Sequence, residues 1–339
     1  MSLNTVLLTG GCGFLGQYVI KNILYTFPDI KVKVLDLRPN PHPVFDFTNH
    51  PSVDILLGKD ICNPDSLAED FSDVDAVIHL AGVVSFALID EDLLNDVNVT
   101  GTRNVLDLAY SNGVRRFIHV SSVAALGYND DADKPIDESF IFDWETAESR
   151  RKYYMLTKHL ADVQVEEYRK KGLDAVIVYP GLLYGPGDVN NSSRLITALR
   201  DRKIPFNMPG GTNVIDVRDV ARGIVDCLKS DICTGNFLLS GHNLSFEDMN
   251  RSIAKVLEVK PPRFGIPKYL NEPLFRLMLL TETILQKRLG LSADNIDSAF
   301  KFRYFDNSNA QQAFGWVPEI GFDQTIKDTV IWLSANGHI

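Results

Sequence analysis

A glycine-rich turn near the N-terminus constrains the fold of this chain more than any other feature. A short apolar run, Thr5–Thr9, leads into Gly10, Gly13 and Gly16, and an amphipathic stretch over Gly13–Tyr25 follows. A strand, a glycine turn and a helix in this order predict the first βα unit of a doubly wound sheet. The glycines allow a tight turn, close approach of an anion to the backbone, and close packing of the helix.

An acidic residue at the end of the next apolar run predicts what this turn binds. Asp36 lies 20 residues after Gly16, where its carboxylate can accept hydrogen bonds from the ribose hydroxyls of a dinucleotide. The same carboxylate repels the extra phosphate of NADP, so NAD is the predicted cofactor. NADP is the alternative, because Arg38 could reach that phosphate. The predicted phosphate-binding residues are Gly10, Gly13, Phe14, Leu15 and Gly16.

Short apolar runs alternate with helix-length amphipathic stretches from Thr5 to about Gly185, which predicts a parallel sheet covered by helices. The predicted strands are Thr5–Thr9, Val32–Leu37, Val53–Leu57, Ala76–Leu80, Arg116–Ser121, Ala175–Tyr179 and Asn236–Leu239. The predicted helices are Gly13–Tyr25, Pro64–Phe71, Asn95–Asn112 and Arg151–Lys171. Long loops are predicted at Pro180–Asn191 and Pro205–Asn213.

The pattern becomes mostly helical after Gly241. The predicted fold is therefore α/β, a Rossmann doubly wound parallel sheet with a smaller, mostly helical C-terminal region that binds the substrate. Residues 1–185 and 213–240 are assigned to the NAD(P)-binding domain, and residues 186–212 and 241–339 to the substrate-binding region. Within the latter, Leu270–Leu291 is read as a helix packed on the core, in preference to an apolar lid or an interfacial helix.

Charge and composition limit the class of partner. The chain has 34 Lys and Arg against 44 Asp and Glu, a formal net charge of -10, which opposes nonspecific attraction to nucleic acid or an anionic membrane. Its four cysteines are scattered without metal-ligand spacing, so no metal is predicted. The chain lacks the features of a signal peptide and a run long and apolar enough to span a bilayer, and cytoplasmic localisation is expected. A small molecule is the expected partner, and a homodimer is an option.

Three hydroxyl- and amine-bearing residues predict the chemistry. Tyr154 precedes Lys158 by four residues, so both face one side of a helix, and the run Arg116–Ser121 leads to Ser122 at the sheet edge. A tyrosine acts as an acid or base near neutral pH only if its pKa falls by about 3 units, and a lysine at about 4 Å supplies roughly that shift. Ser122 would then hold the substrate oxygen. The alternatives are an amphipathic surface helix and a strand-ending turn.

A further pair of candidate residues follows the third predicted strand. Asp60 could accept a hydrogen bond from the adenine amino group beside Ile61, or it could simply cap a helix or stabilise a loop. The residues alone leave these two interpretations equal.

Together these residues resemble the extended short-chain dehydrogenases/reductases, which include the NAD-dependent epimerases and dehydratases, over nearly the whole chain. The matching segments are Thr9–Gly16, Gly58–Ile61, His79–Gly82, Asn98–Thr102, Ser121–Gly127, Tyr154–Lys158, Tyr179–Asp188 and Val214–Ala221. The resemblance implies that Ser122, Tyr154 and Lys158 are catalytic. It also implies that Pro180, Gly181 and Leu182 line the nicotinamide and that Ala81, Gly82 and Asn98 lie near the cofactor.

Within that family the likeness is greatest to the 3β-hydroxysteroid dehydrogenase and dihydroflavonol reductase-like branch, on His119–Gly127, Arg303–Pro318 and Thr325–Trp332. This branch implies an oxidoreductase that interconverts a secondary alcohol and a ketone on an apolar substrate. The alternative is a nucleotide-sugar epimerase or dehydratase with tightly held NAD. Those enzymes usually carry a diphosphate-binding arginine where this chain has Thr212. A non-catalytic dinucleotide sensor is the least favoured, because Tyr154 and Lys158 are both present.

Overall fold

Seven parallel strands form the central sheet in a computed structural model that describes residues 3–190, 192–232 and 234–339. These strands, in chain order, are β1 (Thr5–Thr9), β2 (Lys31–Asp36), β3 (Val53–Leu57), β4 (Ala76–His79), β5 (Arg116–Val120), β6 (Ala175–Pro180) and β10 (Gly235–Leu239). Their spatial order is β10-β6-β5-β4-β1-β2-β3. The sheet confirms the predicted Rossmann fold class.

Twelve α-helices lie within the described residues. They are α1 (Phe14–Thr26), α2 (Glu91–Leu94), α3 (Thr102–Ser111), α4 (Trp144–Ser149), α5 (Tyr153–Lys170), α6 (Ser192–Arg200), α7 (Val217–Lys229), α8 (Phe246–Val256), α9 (Asn271–Leu285), α10 (Ala293–Ala299), α11 (Ser308–Phe314) and α12 (Phe322–Ala335). None of the helices formed by the described residues is long and apolar enough to cross a membrane.

Alternate residues of β1 enter two different cores, as expected for a strand buried on both faces. Val6 and Leu8 point to the face covered by α1 and α7, whereas Leu7 points to the face covered by α3 and α5. The chain order reverses between β1 and β4, so the crevice for a ligand opens at the carboxyl ends of these two strands.

A second sheet lies in the region that precedes and follows α7. Its strands are β7 (Leu182–Tyr184), β9 (Gly211–Asp216), β11 (His242–Ser245) and β13 (Phe302–Arg303), and β9 pairs with each of the other three. A two-residue parallel pair, β8 (Phe206–Asn207) with β12 (Phe264–Gly265), lies nearby. Helices α6, α8 and α12 share an apolar cluster with this sheet.

Several predicted elements differ in detail from those observed. The predicted helix over 95–112 begins with a π-helical segment, Asn95–Gly101, before α3, and the one over 64–71 consists of two short 3-10 turns. The predicted loops after Pro180 and Pro205 contain β7, β8 and the first residues of β9. These predictions were wrong because the strands involved are held by partners far away in the chain, which local patterns do not reveal. The domain boundaries stay a prediction.

Candidate active site

The glycine turn after β1 folds so closely against its surroundings that side chains are excluded. Gly10 has φ +70°, its N–H donates to the Leu35 carbonyl at 2.8 Å, and a Cβ there would lie 2.7 Å from the Ala81 nitrogen. A Cβ on Gly16 would lie 2.4 Å from the Gly11 carbonyl oxygen. The turn is thus fixed between β2, the segment after β4 and the first turn of α1.

Helix α1 begins without a side-chain cap. Gly13 is its N-cap residue and has no side chain to accept from the first-turn N–H groups, which include those of Phe14 and Leu15. Uncapped amides and the positive end of the helix dipole favour an anion at this point. The turn therefore fits the pyrophosphate of a dinucleotide, as the sequence predicts.

Asp36 ends β2 beside the glycine turn. One carboxylate oxygen accepts from the Cys12 N–H at 3.0 Å, and the other from the Arg38 N–H at 3.5 Å. Burial raises the pKa of Asp36, while the Arg38 and Cys12 amides act in the opposite direction. Asp36 is only half-buried, and the Arg38 side chain is exposed beside it. A contact of Asp36 with ribose hydroxyls stays a prediction.

Asp60 and Ile61 have local roles in the structure. The Asp60 carboxylate accepts from the Cys62 N–H at 2.9 Å, which is the loop-stabilising role left open by the sequence. The Ile61 side chain is buried against Gly101, where a Cβ would lie only 2.6 Å from it. A contact of either residue with adenine stays a prediction.

The three residues predicted to be catalytic lie together at the carboxyl end of β5. Ser122 follows the strand, and its hydroxyl oxygen accepts from the Ala124 N–H at 3.2 Å. Tyr154 lies in the first turn of α5, with its phenol near the Ser122 hydroxyl. Lys158 lies one turn further on, and its Nζ donates to the Val120 carbonyl at 3.2 Å. The helix and the strand end thus bring together residues more than thirty positions apart.

The charges in this group depend on burial. Burial raises the pKa of Tyr154, as does the charge of Asp162, while the nearby Ser122 hydroxyl acts to lower it. Burial lowers the pKa of Lys158 to about 8, and the nearby Asp162 carboxylate acts in the opposite direction. At pH 7 Lys158 is therefore still a cation and Tyr154 is still neutral, a combination that allows the phenol to donate a proton.

A buried polar group behind Lys158 was not identified from the sequence. Asp162 lies one further turn along α5, and its carboxylate is 3.4 Å from Nε2 of His119. Burial raises the pKa of Asp162 to about 6, opposed by Ser121 and Lys158, and burial holds the pKa of His119 well below its usual value. The i, i+4 spacing of residues 154, 158 and 162 was the signal that could have found Asp162.

The predicted residues after β4 are tied to α5 through Asn98. This buried amide accepts from the Val83 N–H at 2.8 Å, donates to the Val83 carbonyl at 3.0 Å and donates to the Thr157 hydroxyl at 3.3 Å. Ala81 and Gly82 immediately precede this contact. Three residues beyond Val83, the ring of Phe86 packs edge-on against Tyr154 with the ring centres 5.5 Å apart.

Pro180, Gly181 and Leu182 connect the two sheets. Pro180 ends β6 and Leu182 begins β7, while a Cβ on Gly181 would lie 2.3 Å from the Asn213 side-chain oxygen. Gly181 is thus required for the approach of β9. The predicted contact of these residues with nicotinamide stays a prediction.

Position 212 has a neighbour that the sequence did not reveal. Thr212 is buried in β9 and pairs in register with Arg303 of β13. An arginine is therefore present beside position 212, but it lies on β13, whereas the diphosphate-binding arginine of the nucleotide-sugar enzymes corresponds to position 212 on β9.

The fold and the site define the class of protein. The doubly wound sheet has a glycine turn that fits a pyrophosphate, an acidic residue at the end of β2, and Ser, Tyr and Lys side chains near one another. These features define an NAD(P)-dependent oxidoreductase of the short-chain dehydrogenase/reductase kind. Residues 7–225 match the 3-beta hydroxysteroid dehydrogenase/isomerase family. The chain belongs to this family.

Relatives with curated names cover almost the whole chain. A sterol-4-alpha-carboxylate 3-dehydrogenase (decarboxylating) of Mus musculus is 26% identical over 349 residues, covering 95% of this chain and 88% of that protein. The enzyme of the same name from Saccharomyces cerevisiae is 25% identical over 360 residues, covering 98% of each. These likenesses agree with the branch of the family that the sequence predicts.

Solved structures agree with the fold over its full length. The crystal structure of gox2253 has a TM-score of 0.82 and 25% identity, covering 99% of both chains. That of the dTDP-glucose 4,6-dehydratase DesIV from Streptomyces venezuelae, with NAD bound, has a TM-score of 0.77 and 22% identity, covering 98% of this chain and 97% of that one. The second likeness concerns the fold alone.

Proposed function

We propose that the protein is an NAD-dependent dehydrogenase that interconverts a secondary alcohol and a ketone. The observation that carries this proposal is the proximity of the Ser122 and Tyr154 hydroxyls, with Lys158 one helical turn away, at the carboxyl end of β5. This pair lies near the crevice in which the glycine turn offers uncapped amides to a dinucleotide.

The side chains divide the work of the reaction. When bound, NAD supplies the hydride acceptor at its nicotinamide and a second positive charge. In oxidation Tyr154 accepts the proton of the substrate hydroxyl, while Ser122 holds the same oxygen by a hydrogen bond. Lys158 favours the ionised phenol by its charge, and Asp162 in turn favours the charged lysine. In reduction Tyr154 returns the proton to the oxygen.

We propose NAD rather than NADP as the preferred cofactor. The Asp36 carboxylate is held beside the glycine turn by the Cys12 amide, where a 2′-phosphate would meet its negative charge. Arg38 is exposed beside it and acts on Asp36 by its charge, so this side chain is the feature that favours NADP.

An apolar substrate, of the sterol kind named for the relatives, fits the surroundings of Tyr154. Phe86 packs on the tyrosine, and Val84 and Ile89 on either side of it are exposed to the extent of 56% and 54%. Exposed apolar residues next to an active site favour binding of an apolar molecule. A nucleotide-sugar epimerase or dehydratase is the second candidate, favoured by the arginine beside position 212 but opposed by Thr212 itself.

Replacement of Tyr154 by Phe tests this proposal. Loss of the acid/base hydroxyl should lower kcat by about 10²–10⁴-fold and leave the Kd for NAD nearly unchanged, because the phenol does not hold the dinucleotide. NADH formation from a panel of 3β-hydroxysteroid, flavonoid and aliphatic alcohols gives the rate, and fluorescence titration gives the Kd. Tyr153→Phe, on the preceding residue of the same helix, is the control and should retain activity. A fully active Tyr154→Phe enzyme contradicts the mechanism.

A further inference from the structure

Arg303 is a half-buried arginine without a counter-ion. Within the part of the chain that the structure describes, its guanidinium forms no hydrogen bond and no ion pair within 4.0 Å, and its Nε is fully buried without a partner. Buried cations in proteins are normally paired, because their loss of hydration is costly. An arginine in this setting points to an anion that binds from outside the chain.

The buried carboxylates near Arg303 are already occupied by other cations. Lys152 Nζ lies 2.7 Å from Asp294 and 2.9 Å from Asp297, and Arg150 lies 2.9 Å from Asp297. Asp294, Tyr128 and Asp297 are the titratable groups that act on Arg303, and none lies within ion-pair distance of it. The region thus holds three cations, Lys152, Arg150 and Arg303, but only two buried carboxylates.

A third carboxylate does not remove this surplus. Glu272 is 2.9 Å from Arg150, but its side chain is 44% exposed and it also pairs with Arg276 at 2.7 Å. If Glu272 and its second partner Arg276 are included in the cluster, they add one negative and one positive charge, so the net charge does not change. The cluster keeps a net positive charge, and Arg303 is its unpaired member.

The cluster borders the candidate active site on the side of the C-terminal region. Lys152 immediately precedes α5, which carries Tyr154. Tyr128 follows Ser122 by six residues and hydrogen bonds to Asp297 at 3.3 Å. The half-buried guanidinium of Arg303 is therefore close to the segments that hold both catalytic hydroxyls.

We propose that Arg303 binds a carboxylate carried by the substrate. This inference rests on the proposed function and narrows its substrate class to an apolar alcohol or ketone that bears an acid group. A planar guanidinium suits a carboxylate, because two parallel N–H groups can donate to its two oxygens. The bound acid would neutralise the surplus charge of the cluster.

Binding of an acid and of its ester tests this site. The probes are a 3β-hydroxysteroid carboxylic acid and its methyl ester, titrated calorimetrically into the NAD-loaded Tyr154→Phe protein. The acid should bind at least about tenfold more tightly, and the added substitution Arg303→Met should remove that preference while Arg303→Lys keeps part of it. The proposal is overturned if the Arg303→Met protein keeps the full preference for the acid, or if the protein with Arg303 intact shows none.

Because these titrations need no turnover, they are independent of the proposed chemistry. An acid preference in a protein that oxidises no alcohol supports the anion site and contradicts the proposed function. If the unaltered protein oxidises the neutral ester but shows no preference for the acid, the result supports the proposed function and contradicts the anion site.

Thermal stability supplies a second readout. Without ligand, Arg303→Met should raise the Tm, because it removes an unpaired cation, whereas Lys152→Met should lower it. If Arg303→Met lowers the Tm as Lys152→Met does, then Arg303 is a structural counter-ion and the proposal is wrong.

A different observation supports a second inference, which concerns the outer surface of α9. Half of the large apolar side chains exposed among the described residues lie in two segments, 84–93 and 264–291. Leu277, Leu280 and Ile284 share one face of α9 and are 63%, 58% and 70% exposed. The segments adjoin, because Arg288 pairs with Asp90 at 2.9 Å. We call the exposed residues of these two segments the α9 surface.

The basic residues of the α9 surface are concentrated in and just before its second segment. Residues 260–291 contain six basic side chains and two acidic ones, whereas residues 84–93 contain three acidic side chains and no basic one. The basic residues, all exposed, are Lys260, Arg263, Lys268, Arg276, Lys287 and Arg288. An exposed apolar helix face with flanking basic residues is complementary to an anionic lipid surface.

We propose that the α9 surface docks onto an anionic lipid membrane. The protein should sediment with phosphatidylcholine vesicles that contain phosphatidylserine, bind pure phosphatidylcholine more weakly, and be released by salt. Leu280→Glu with Ile284→Glu should abolish sedimentation. Ile331→Glu, at a residue 58% exposed on α12, is the matched control and should not.

Two outcomes contradict the membrane proposal. One is no vesicle binding by the unaltered protein. The other is the finding, by light scattering without vesicles, that the protein is a dimer and that the same double substitution dissociates it. The α9 surface would then be covered by a second copy of the chain.

Discussion

Asp162 is a buried acidic residue whose charge acts on Lys158 of the candidate active site. It lies one turn beyond Lys158 on α5, and its carboxylate acts to raise the pKa of that lysine against the effect of burial. In the proposed mechanism Lys158 in turn favours the ionised form of Tyr154. Asp162 is then a positioning residue that acts through the lysine, although its own charge also acts to raise the pKa of the phenol.

The pH dependence of ketone reduction should reveal this role. Reduction requires charged Lys158, so its rate should fall as the pH rises through the lysine pKa of about 8. Asp162→Asn removes the negative charge that favours the ammonium, and this alkaline limb should move to lower pH by about one unit. NADH oxidation, followed from acidic to alkaline pH, measures it. Asp162→Glu keeps the negative charge and should leave the alkaline fall in rate at the same pH. If Asp162→Asn also leaves it at the same pH, then Asp162 does not act on the pKa of Lys158.

We expect the preference for NAD over NADP to depend on one residue, Asp36. Asp36→Ser should weaken NAD binding by about tenfold, because a charged hydrogen-bond acceptor for the ribose is lost. Binding of NADP should improve relative to NAD, because the repulsion of its phosphate disappears. Fluorescence titration with both dinucleotides measures the ratio. A ratio unchanged from that of the unaltered protein means that Asp36 does not contact the ribose.

At the scale of elements, the glycine turn holds β1, the first turn of α1 and the segment after β4 in contact. Gly16→Ala should lower the free energy of unfolding by about 2 kcal/mol, because the new Cβ meets the Gly11 backbone at 2.4 Å. Urea denaturation measures this change. Gly290→Ala is the control, since nothing lies within 4 Å of the added carbon. Equal stabilities of the two variants would contradict the packing.

The accuracy of prediction from sequence also varied with the kind of element. The strands of the central sheet were predicted to within about one residue, because each is a continuous apolar run between turn residues. β7 and β13 are only a few residues long and form through pairing with β9, so no local pattern indicates them. Arg303 was for the same reason not associated with Thr212, and Asp162 was not identified because its importance comes from burial.

At the scale of the whole molecule, the Lys152 ion cluster joins the segment before α5 to α10. Lys152→Met should lower the free energy of unfolding by roughly 3–5 kcal/mol, because Asp294 and Asp297 lose their fully buried partner. Chemical denaturation measures it. Lys203→Met, which breaks an exposed pair with Asp201, should cost less than about 1 kcal/mol. Similar costs for the two variants would show that the cluster does not hold the regions together.

The pairing of β9 with β7, β11 and β13 also restricts how relatives of this chain can be recombined. A chimera that takes residues 241–339 from another enzyme replaces β11 and β13 but keeps the β9 to which they must pair. The register of β9 with both strands then has to match by chance. Exchange of substrate preference between two such enzymes therefore requires transfer of residues 182–216 together with 241–339, as one unit made of two separate pieces of sequence.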